Sequence, residues 1–341
     1  VYASVSGKVK RLEERVASSG QFVTAVVIAS DGQQTPYAGL TPPTVTDKES
    51  FLAAVRDSGV VGLGGAGFPT AVKLSLKDPS QLENLIINCA ECEPFITSDT
   101  RTMLDNSSEM WEGLELIQHY MAPPRVIFGI ENNKPQCIKL LQSLAKGSSN
   151  VEIKVLPALY PQGGEKVLIF HCTGRIVPEG KLPIDAGAVV LNCTTLAAIA
   201  HYIKTGMPLV EKCITVDGSA VTTPQNVIAP IGTPLRELFQ FCGGFKEKPY
   251  KILYGGPMMG ISVPSLDEPV LKSTNAALAF NQKDATPPPE TPCIRCGRCA
   301  AHCPLRLMPA DIEKAFDRGD TDALAALKVN LCMECGCCSF V

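Results

Sequence analysis

Cysteines near the carboxyl end of the chain have the spacing of metal or cluster ligands. Eight of the fifteen cysteines fall within the last 49 residues. Seven of these eight form two C-x2-C-x2-C runs and one C-P step: Cys293, Cys296, Cys299, Cys303, Cys332, Cys335 and Cys338. Thiolates clustered in this way indicate ligands in a reducing compartment, whereas scattered single cysteines are typical of small buried apolar residues.

The first run continues into Cys303-Pro304 and has the C-x2-C-x2-C-x3-C-P spacing of bacterial 4Fe–4S ferredoxins. The fourth cysteine of that pattern ligates the other cluster, so we expect Cys303 to join the second run. The cluster of the first run would then need a ligand at position 342, just past Val341, and we expect the sequence to be a fragment cut at both ends. The alternative is a zinc site, although zinc usually takes four ligands from two C-x2-C pairs.

A glycine-rich stretch, GLGGAG at residues 62–67, fits the G-x-G-x-x-G pattern. Glycines let backbone N–H groups approach a ligand closely, and a lysine in the following helix adds positive charge. A helix rather than a long strand precedes the stretch, so the context differs from a Rossmann fingerprint, and a plain glycine turn explains the pattern equally well. The candidate ligand-binding residues here are Gly62, Gly64, Gly65, Gly67 and Lys73.

Three further polar segments, NCAECEPF, YPQGGEKVL and LNCTTLA, lie at predicted strand or loop ends. Ligands bind outside the carboxyl ends of parallel strands, where carboxylates and amides could hold ribose or the edge of a flavin ring. A solvated loop and ordinary helix caps are the alternative interpretations. The candidate residues in these segments are Asn88, Glu91, Glu93, Tyr160, Glu165, Asn192, Thr194 and Thr195.

The elements that must position these residues alternate between strand and helix. Apolar runs predict strands at 84–89, 125–130, 151–157 and 188–193, and helical periodicity predicts helices at 103–121, 135–146 and 196–206. This alternation is typical of an α/β layer with a largely parallel sheet. Around this layer we expect β-like runs at 3–12 and 22–30 broken at residues 7 and 18–20, a helix capped by Thr46 and Glu49, an α+β module at 212–245 and a Pro-rich linker at 283–292.

Composition excludes several classes of protein. Hydrophobic residues make up 45% of the chain and the formal net charge is −3, without long runs of Lys or Arg. That charge pattern argues against a nucleic-acid surface. The longest apolar runs are far shorter than the roughly 18–20 residues that span a bilayer, and the first residues lack the apolar core of a signal peptide.

The motifs together resemble the flavin- and NADH-binding subunit of respiratory complex I and its diaphorase relatives. GLGGAGFPTAVKL, NCAECEP, YPQGGEK and LNCTTLA occur here in the order of that superfamily. With GGPMMG at 255–260 and the runs CIRCGRC and CMECGCC, the chain resembles more specifically the C subunit of the Rnf ion-translocating oxidoreductase. Leu63 stands where the complex I pattern has arginine, and Ala71 where it has glycine.

This resemblance implies a Rossmann-like parallel-sheet protein of four domains. They are a partial barrel-sandwich β segment at 1–40, an FMN- and NADH-binding α/β domain at 41–211, a soluble-ligand-binding β-grasp module with a connecting segment at 212–282, and a truncated ferredoxin-like domain at 283–341. It also implies roles for the candidate residues: the four glycines near FMN and the nucleotide, Lys73, Asn88, Glu91 and Glu93 around the flavin, Tyr160 and Glu165 on the nucleotide side, and Asn192, Thr194 and Thr195 holding FMN.

The implied function is that of an NADH-linked oxidoreductase subunit at the cytoplasmic face of the membrane. It would pass electrons between NADH or NAD+, FMN and two 4Fe–4S clusters to or from membrane partners, in an ion-translocating complex, with no transmembrane segment of its own. Two alternatives stay open: a diaphorase subunit of a soluble NADH-linked hydrogenase or dehydrogenase, and a flavin-free iron–sulfur relay or docking subunit.

Overall fold

The computed structural model describes residues 2–16 and 22–341. The chain starts with an antiparallel hairpin of strands β1 (Gly7–Val16) and β2 (Phe22–Ser30), with a bulge between Val9 and Arg11. The predicted break at residues 18–20 lies outside the described residues. Over the two described ranges, no helix is both long and apolar enough to cross a membrane.

A parallel α/β layer follows the hairpin. Its helices and strands are α1 (Lys48–Asp57), α2 (Thr70–Leu74), β3 (Asn84–Cys89), α3 (Ser98–Asp105), α4 (Ser107–Met121), β4 (Arg125–Glu131), α5 (Pro135–Leu144), β5 (Val151–Leu156), α6 (Glu165–Thr173), β6 (Ala188–Asn192) and α7 (Cys193–Thr205). The four strands are parallel in the order β5-β4-β3-β6. The predicted α/β class and its four strands are thereby confirmed.

The sheet is covered on both faces because successive strand residues point to opposite sides. On β3, Leu85 and Ile87 belong to the large core with α1, α4 and α7, whereas Ile86 packs in a second cluster with Leu168 of α6. All three strand residues are fully buried. Burial on both faces explains why the central part of β3 is a continuous apolar run.

Two predicted details of the helices are wrong. The helix expected at 103–121 is divided into α3 and α4, because Asn106 leaves helical geometry with φ −119 and ψ 29. The cap of α1 is formed by Asp47 rather than by Thr46 with Glu49. The Asp47 carboxylate accepts from the Ser50 amide at 2.8 Å, and the Ser50 hydroxyl accepts from the Asp47 amide at 3.0 Å, which is a capping box displaced by one residue.

A second, mixed sheet follows the α/β layer. Its elements are β7 (Glu211–Asp217), β8 (Gln225–Pro230), α8 (Leu235–Phe241), β9 (Lys251–Tyr254), β10 (Ile261–Ser262) and β11 (Ala276–Phe280), with strand order β10-β9-β11-β7-β8. The strands predicted near 214–218 and 226–230 are confirmed. The central strand β11 has no signal in the sequence, because AALAF is buried at every position and shows no alternation.

The cysteine-rich end consists of short helices joined by loops. These helices are α9 (Gln282–Ala285), α10 (Arg298–Ala301), α11 (Pro309–Asp317), α12 (Thr321–Ala326) and α13 (Cys337–Phe340). The expected linker therefore starts later than predicted, since residues 283–285 complete α9. The helices α10 and α13 each lie within a cysteine run, so this part of the fold serves to place thiols.

Candidate cofactor site at the carboxyl edge of the parallel sheet

The candidate residues gather where the strand order reverses. From β3 the chain steps outward to β4 and β5, and then returns to place β6 on the other side of β3. Such a reversal opens a crevice outside the carboxyl ends of β3 and β6, the two strands on either side of the reversal. Asn88 of β3 and Asn192 of β6 are register partners at this edge, so the sheet brings two of the predicted site residues side by side.

The glycine loop arches over this edge. The Gly62 amide donates to the Phe68 carbonyl at 2.8 Å and the Gly67 amide donates to the Gly62 carbonyl at 3.1 Å, which closes the loop on itself. Gly65 and Gly67 have φ values of +116° and +66°, a region that residues with a Cβ rarely adopt. Leu63 is only 2% exposed, so the side chain at the position of the complex I arginine packs in the core and does not face the crevice.

The exposed part of the glycine loop presents unpaired amides. Gly64, Gly65 and Ala66 are exposed, and within residues 2–16 and 22–341 their N–H groups make no hydrogen bond to the protein. The preceding amide, that of Leu63, donates to the Thr195 hydroxyl oxygen at 3.1 Å. Successive free N–H groups form an anion-binding concavity, and this observation fits the phosphate of a flavin nucleotide.

Asn192 and Thr194 form the floor of the crevice with a residue that the sequence analysis missed. The Asn192 side chain caps α7 by accepting from the Thr194 and Thr195 amides at 2.9 and 3.3 Å. Its amide nitrogen and the Thr194 hydroxyl each donate to the carboxylate of Asp99, both at 2.7 Å. Asp99 is 9% exposed and burial raises its pKa. These contacts confirm the helix-cap interpretation of Asn192 and place it beside Gly64.

Glu91 lies directly behind this floor. Its carboxylate accepts from the Asp99 and Thr100 amides at 2.6 and 3.2 Å, at the start of α3, and the Lys134 ammonium lies 3.8 Å away. Burial, followed by the nearby Asp99 carboxylate, raises the pKa of Glu91 to about 7. Its side chain is 2% exposed. Glu91 therefore acts on the site by holding the start of α3, which carries Asp99.

Further side-chain contacts join the loops around β3 and β6. They are made by Lys73, Glu165 and Asn88. The Lys73 ammonium lies 2.6 Å from the Glu165 carboxylate and donates to the Val190 carbonyl at 3.0 Å. The Asn88 side chain donates to the Gly163 carbonyl at 2.9 Å. The predicted flavin-side and nucleotide-side residues are therefore in direct contact across the carboxyl edge.

Glu93 fixes the GGPMMG turn to the α/β layer. Its carboxylate accepts from the Met258 and Met259 amides at 3.1 and 2.8 Å. Burial raises the pKa of Glu93, and these two hydrogen bonds oppose the rise. A Cβ at Gly256 would overlap the Glu93 carboxylate, which explains a glycine at this position.

The second cysteine run docks on the same edge. Tyr160 donates its hydroxyl to the Cys335 carbonyl at 2.7 Å. A Cβ at Gly164 would come within 2.5 Å of the Met333 methyl group, and one at Gly336 within 2.8 Å of the Met258 carbonyl. The loop between Cys332 and Cys338 therefore contacts both the YPQGGEK loop and the GGPMMG turn.

The two cysteine loops share one backbone conformation. Arg295 and Glu334, one residue before the second cysteine of each run, have φ values of 58° and 55°. Gly297 and Gly336, one residue after it, have φ values of 75° and 76°. A repeated conformation that costs energy at the arginine and the glutamate indicates a shared demand on both loops.

The thiols also receive backbone hydrogen bonds. The Leu307 amide donates to Cys303 Sγ at 3.3 Å and the Glu334 amide donates to Cys332 Sγ at 3.4 Å. Such bonds to sulfur tune iron–sulfur clusters, so the backbone of the two loops is suited to 4Fe–4S ligation, whereas the described thiol side chains are not gathered into a ligand set. Among the described residues, no three Cys, His, Asp or Glu side chains stand arranged to hold a metal ion.

A lysine of the second sheet, Lys212, donates a hydrogen bond to a backbone carbonyl of the glycine loop. Lys212 on β7 is 5% exposed and donates to the carbonyls of Leu63 at 3.4 Å and Lys272 at 3.0 Å. Burial lowers the pKa of Lys212 to about 8, while the nearby Asp99 carboxylate opposes the change. Its ammonium group is thus mainly protonated at neutral pH. Neither Lys212 nor Asp99 belongs to a recognisable motif, and the sequence carried no signal for them.

Comparisons with known proteins agree with this arrangement. Residues 55–201 match the family model of the Nuo51 FMN-binding domain, and residues 213–262 match the SLBB domain. The chain is also similar to chains of an NAD+-reducing [NiFe]-hydrogenase: in the air-oxidised state with TM-score 0.58 and 24% identity over 71% of this chain and 48% of that chain, and in the H2-reduced state with TM-score 0.62 and 22% identity over 87% and 60%. The fold and the edge site define a protein with a complex I-type FMN-binding domain followed by an SLBB domain.

Similarity to curated relatives identifies the family within this class. The chain is 40% identical to the C subunit of the proton-translocating ferredoxin:NAD(+) oxidoreductase complex of Clostridium ljungdahlii, over 91% of this chain and 68% of the relative. It is 39% identical to the C subunit of the Na(+)-translocating ferredoxin:NAD(+) oxidoreductase complex of Acetobacterium woodii, over 94% and 73%. It is 37% identical to the C subunit of the ion-translocating oxidoreductase complex of Rhodobacter capsulatus, over 95% and 64%. The chain belongs to this family of C subunits, and the predicted resemblance to the Rnf C subunit is confirmed.

Proposed function

We propose that the chain is an electron-transfer subunit of a membrane-bound, ion-translocating ferredoxin:NAD+ oxidoreductase complex. In this proposal it binds FMN and a nicotinamide nucleotide in the α/β domain and two 4Fe–4S clusters in the cysteine-rich domain. It acts at the cytoplasmic face of the membrane together with membrane subunits. The domain boundaries at 40, 211 and 282 belong to the same proposal.

One observation carries the proposal: the second cysteine run is held against the carboxyl edge of the parallel sheet. The contacts of Tyr160 with Cys335 and of Gly164 with Met333 join the nucleotide-side loop to the cluster loop. Electron transfer requires such closeness between the flavin region and a cluster, whereas a docking module would not. The flavin-free relay is therefore the less well supported alternative.

The residues of the edge site are suited to bind and orient a flavin nucleotide. The free amides of Gly64, Gly65 and Ala66 would donate hydrogen bonds to its phosphate, and Asn192 with Thr194 would line the floor beneath the loop. When bound, a flavin takes up a hydride as an electron pair and releases electrons singly. Lys73 and Glu165 form a charged pair on the nucleotide side, and we propose that the pair orients the nicotinamide nucleotide.

The cysteines divide into two ligand sets in this proposal. Cys303, Cys332, Cys335 and Cys338 would hold one 4Fe–4S cluster, and Cys293, Cys296 and Cys299 would supply ligands to the other. Cys337 stays outside both sets, because its Sγ points toward the Tyr160 carbonyl at 4.0 Å. Burial raises its pKa to about 12.

The test measures flavin, iron and electron transfer in anaerobically purified protein. We expect an equimolar amount of FMN after acid release, and bleaching of that flavin by NADH. Cys335→Ser is expected to retain the flavin and its bleaching but to lose the paramagnetic signal of one reduced cluster. Cys242→Ser, which removes a buried thiol in the second sheet, is the matched control and should retain both.

Two results would contradict the proposal in different ways. Absence of flavin from folded protein would favour the iron–sulfur relay, whose electrons enter elsewhere. Flavin that NADH bleaches without any reduction of the clusters would show that the docking contact at Tyr160 does not serve electron transfer.

A further inference from the structure

Side chains from the second sheet and the segment before β11 donate hydrogen bonds to backbone carbonyls of the glycine loop. Lys212 donates to the Leu63 carbonyl at 3.4 Å and Asn275 donates to the Gly64 carbonyl at 3.4 Å. A third donor, Lys272, holds the carbonyl of Gly59 ahead of the loop at 2.6 Å. All three donors come from residues 212–275, outside the α/β layer that carries the predicted motifs.

Because each peptide group is planar, hydrogen bonds to its carbonyl also fix the direction of its N–H group. In a trans peptide the C=O and the following N–H point in opposite directions. The Leu63 carbonyl shares its peptide group with the Gly64 amide, and the Gly64 carbonyl shares its group with the Gly65 amide. Both amides must therefore point away from the second sheet, and both are exposed and make no hydrogen bond within the described residues.

Charge reinforces this orientation. A donor bound to the carbonyl polarises the peptide group and strengthens its N–H as a donor. Lys212 brings a buried positive charge to the Leu63 carbonyl, in surroundings where screening by water is weak. The nearby Asp99 carboxylate favours the ammonium form of Lys212, because it raises the pKa that burial lowers. The same carboxylate also accepts hydrogen bonds from Asn192 and Thr194.

We infer that Lys212 is a positioning residue of the flavin site, which makes the glycine loop selective for the phosphate of FMN over riboflavin. It acts through the Leu63 peptide group and brings a determinant of cofactor choice from the second sheet into the α/β domain. This inference rests on the proposed function, because it presupposes that the loop binds FMN.

The experiment compares the affinities of flavin-depleted protein for FMN and for riboflavin. Lys212→Met keeps the length of the side chain and removes its charge, and we expect the ratio of FMN to riboflavin affinity to fall about tenfold. Lys212→Arg should restore much of the ratio. Lys251→Met removes a charge from an exposed position on β9 of the same sheet and should leave the ratio unchanged.

The ratio separates positioning from folding, because misfolding lowers both affinities together. If Lys212→Met fails to fold, Asn275→Ala at a half-buried side chain should lower the same ratio to a smaller extent. An unchanged ratio in folded Lys212→Met, with wild-type protein that binds FMN, overturns this inference alone. Wild-type protein that binds neither flavin overturns the proposed function as well.

Discussion

The buried carboxylate of Glu91 gives the protein a specific dependence of stability on pH. Its pKa is raised from the ordinary 4.5 to about 7 in the folded chain. Because the folded state binds this proton more tightly, the stabilisation is fully present below pH 4.5 and is lost as the pH rises toward 7. At about 1.4 kcal/mol for each tenfold change in proton binding, the total is about 3 kcal/mol.

Glu91→Gln isolates this effect. The glutamine oxygen can still accept from the Asp99 and Thr100 amides, but it never becomes charged. The variant should therefore match the wild type near pH 4.5 and become progressively more stable than it above that pH. Between pH 5 and pH 8 we expect the difference in unfolding free energy to grow by about 2 to 3 kcal/mol.

Urea unfolding followed by tryptophan fluorescence measures this difference. The single tryptophan, Trp111, stacks on Phe128 with ring centroids 6.0 Å apart, so its signal reports the core of the α/β layer. Glu115→Gln on the exposed side of α4 is the matched control and should show no such growth. A constant difference between Glu91→Gln and the wild type from pH 5 to 8 would refute the argument that burial raises this pKa.

Three further variants probe the packing that positions the site. Gly113→Ala should lower the unfolding free energy by about 2 kcal/mol or more in the same urea assay, because its methyl group would overlap the Leu196 carbonyl where α4 meets α7; a gain, as at an ordinary helical glycine, would contradict this contact. Tyr160→Phe removes the bond to the Cys335 carbonyl, so the iron–sulfur absorbance should be lost at lower urea, by about 1 kcal/mol, while the tryptophan transition is unchanged. Glu93→Ala frees two amides of the GGPMMG turn and should increase cleavage of that turn in limited proteolysis; equal cleavage would show that the turn is held by other contacts.

The sequence predicted the α/β layer well because its signals are local. Strands β3, β4 and β6 are largely apolar runs buried on both faces. The helix predicted at 196–206 is α7, which begins three residues earlier than predicted, at Cys193, directly after the confirmed Asn192 cap. The thiols of the cysteine runs lie in two similar loops, as their spacing predicted, but the ligand sets stay predictions. Strand β11 escaped prediction because complete burial removes the periodicity on which such predictions depend.

The buried charges of the site could not be predicted because their partners are remote in the chain. Asp99 meets Asn192 and Thr194 across more than 90 residues, and Lys212 meets Leu63 across 149. Neither charge belongs to a motif, and each depends on the docking of separate elements. The predicted candidates Glu91 and Glu93 do lie at the site, but their carboxylates accept hydrogen bonds from backbone amides of the protein.

The contacts of the glycine loop explain why the cofactor site is not a property of the α/β layer alone. Lys212 and Asn275 donate to the carbonyls of Leu63 and Gly64, so the amides of the same peptide groups point away from the second sheet. The second cysteine loop contacts the same edge through Gly336, which packs on the turn bound by Glu93, and through the Tyr160 hydroxyl, which donates to the Cys335 carbonyl. Each module therefore orients a group that belongs to another, so we expect a change at one of their contacts to alter a part of the site in the neighbouring module.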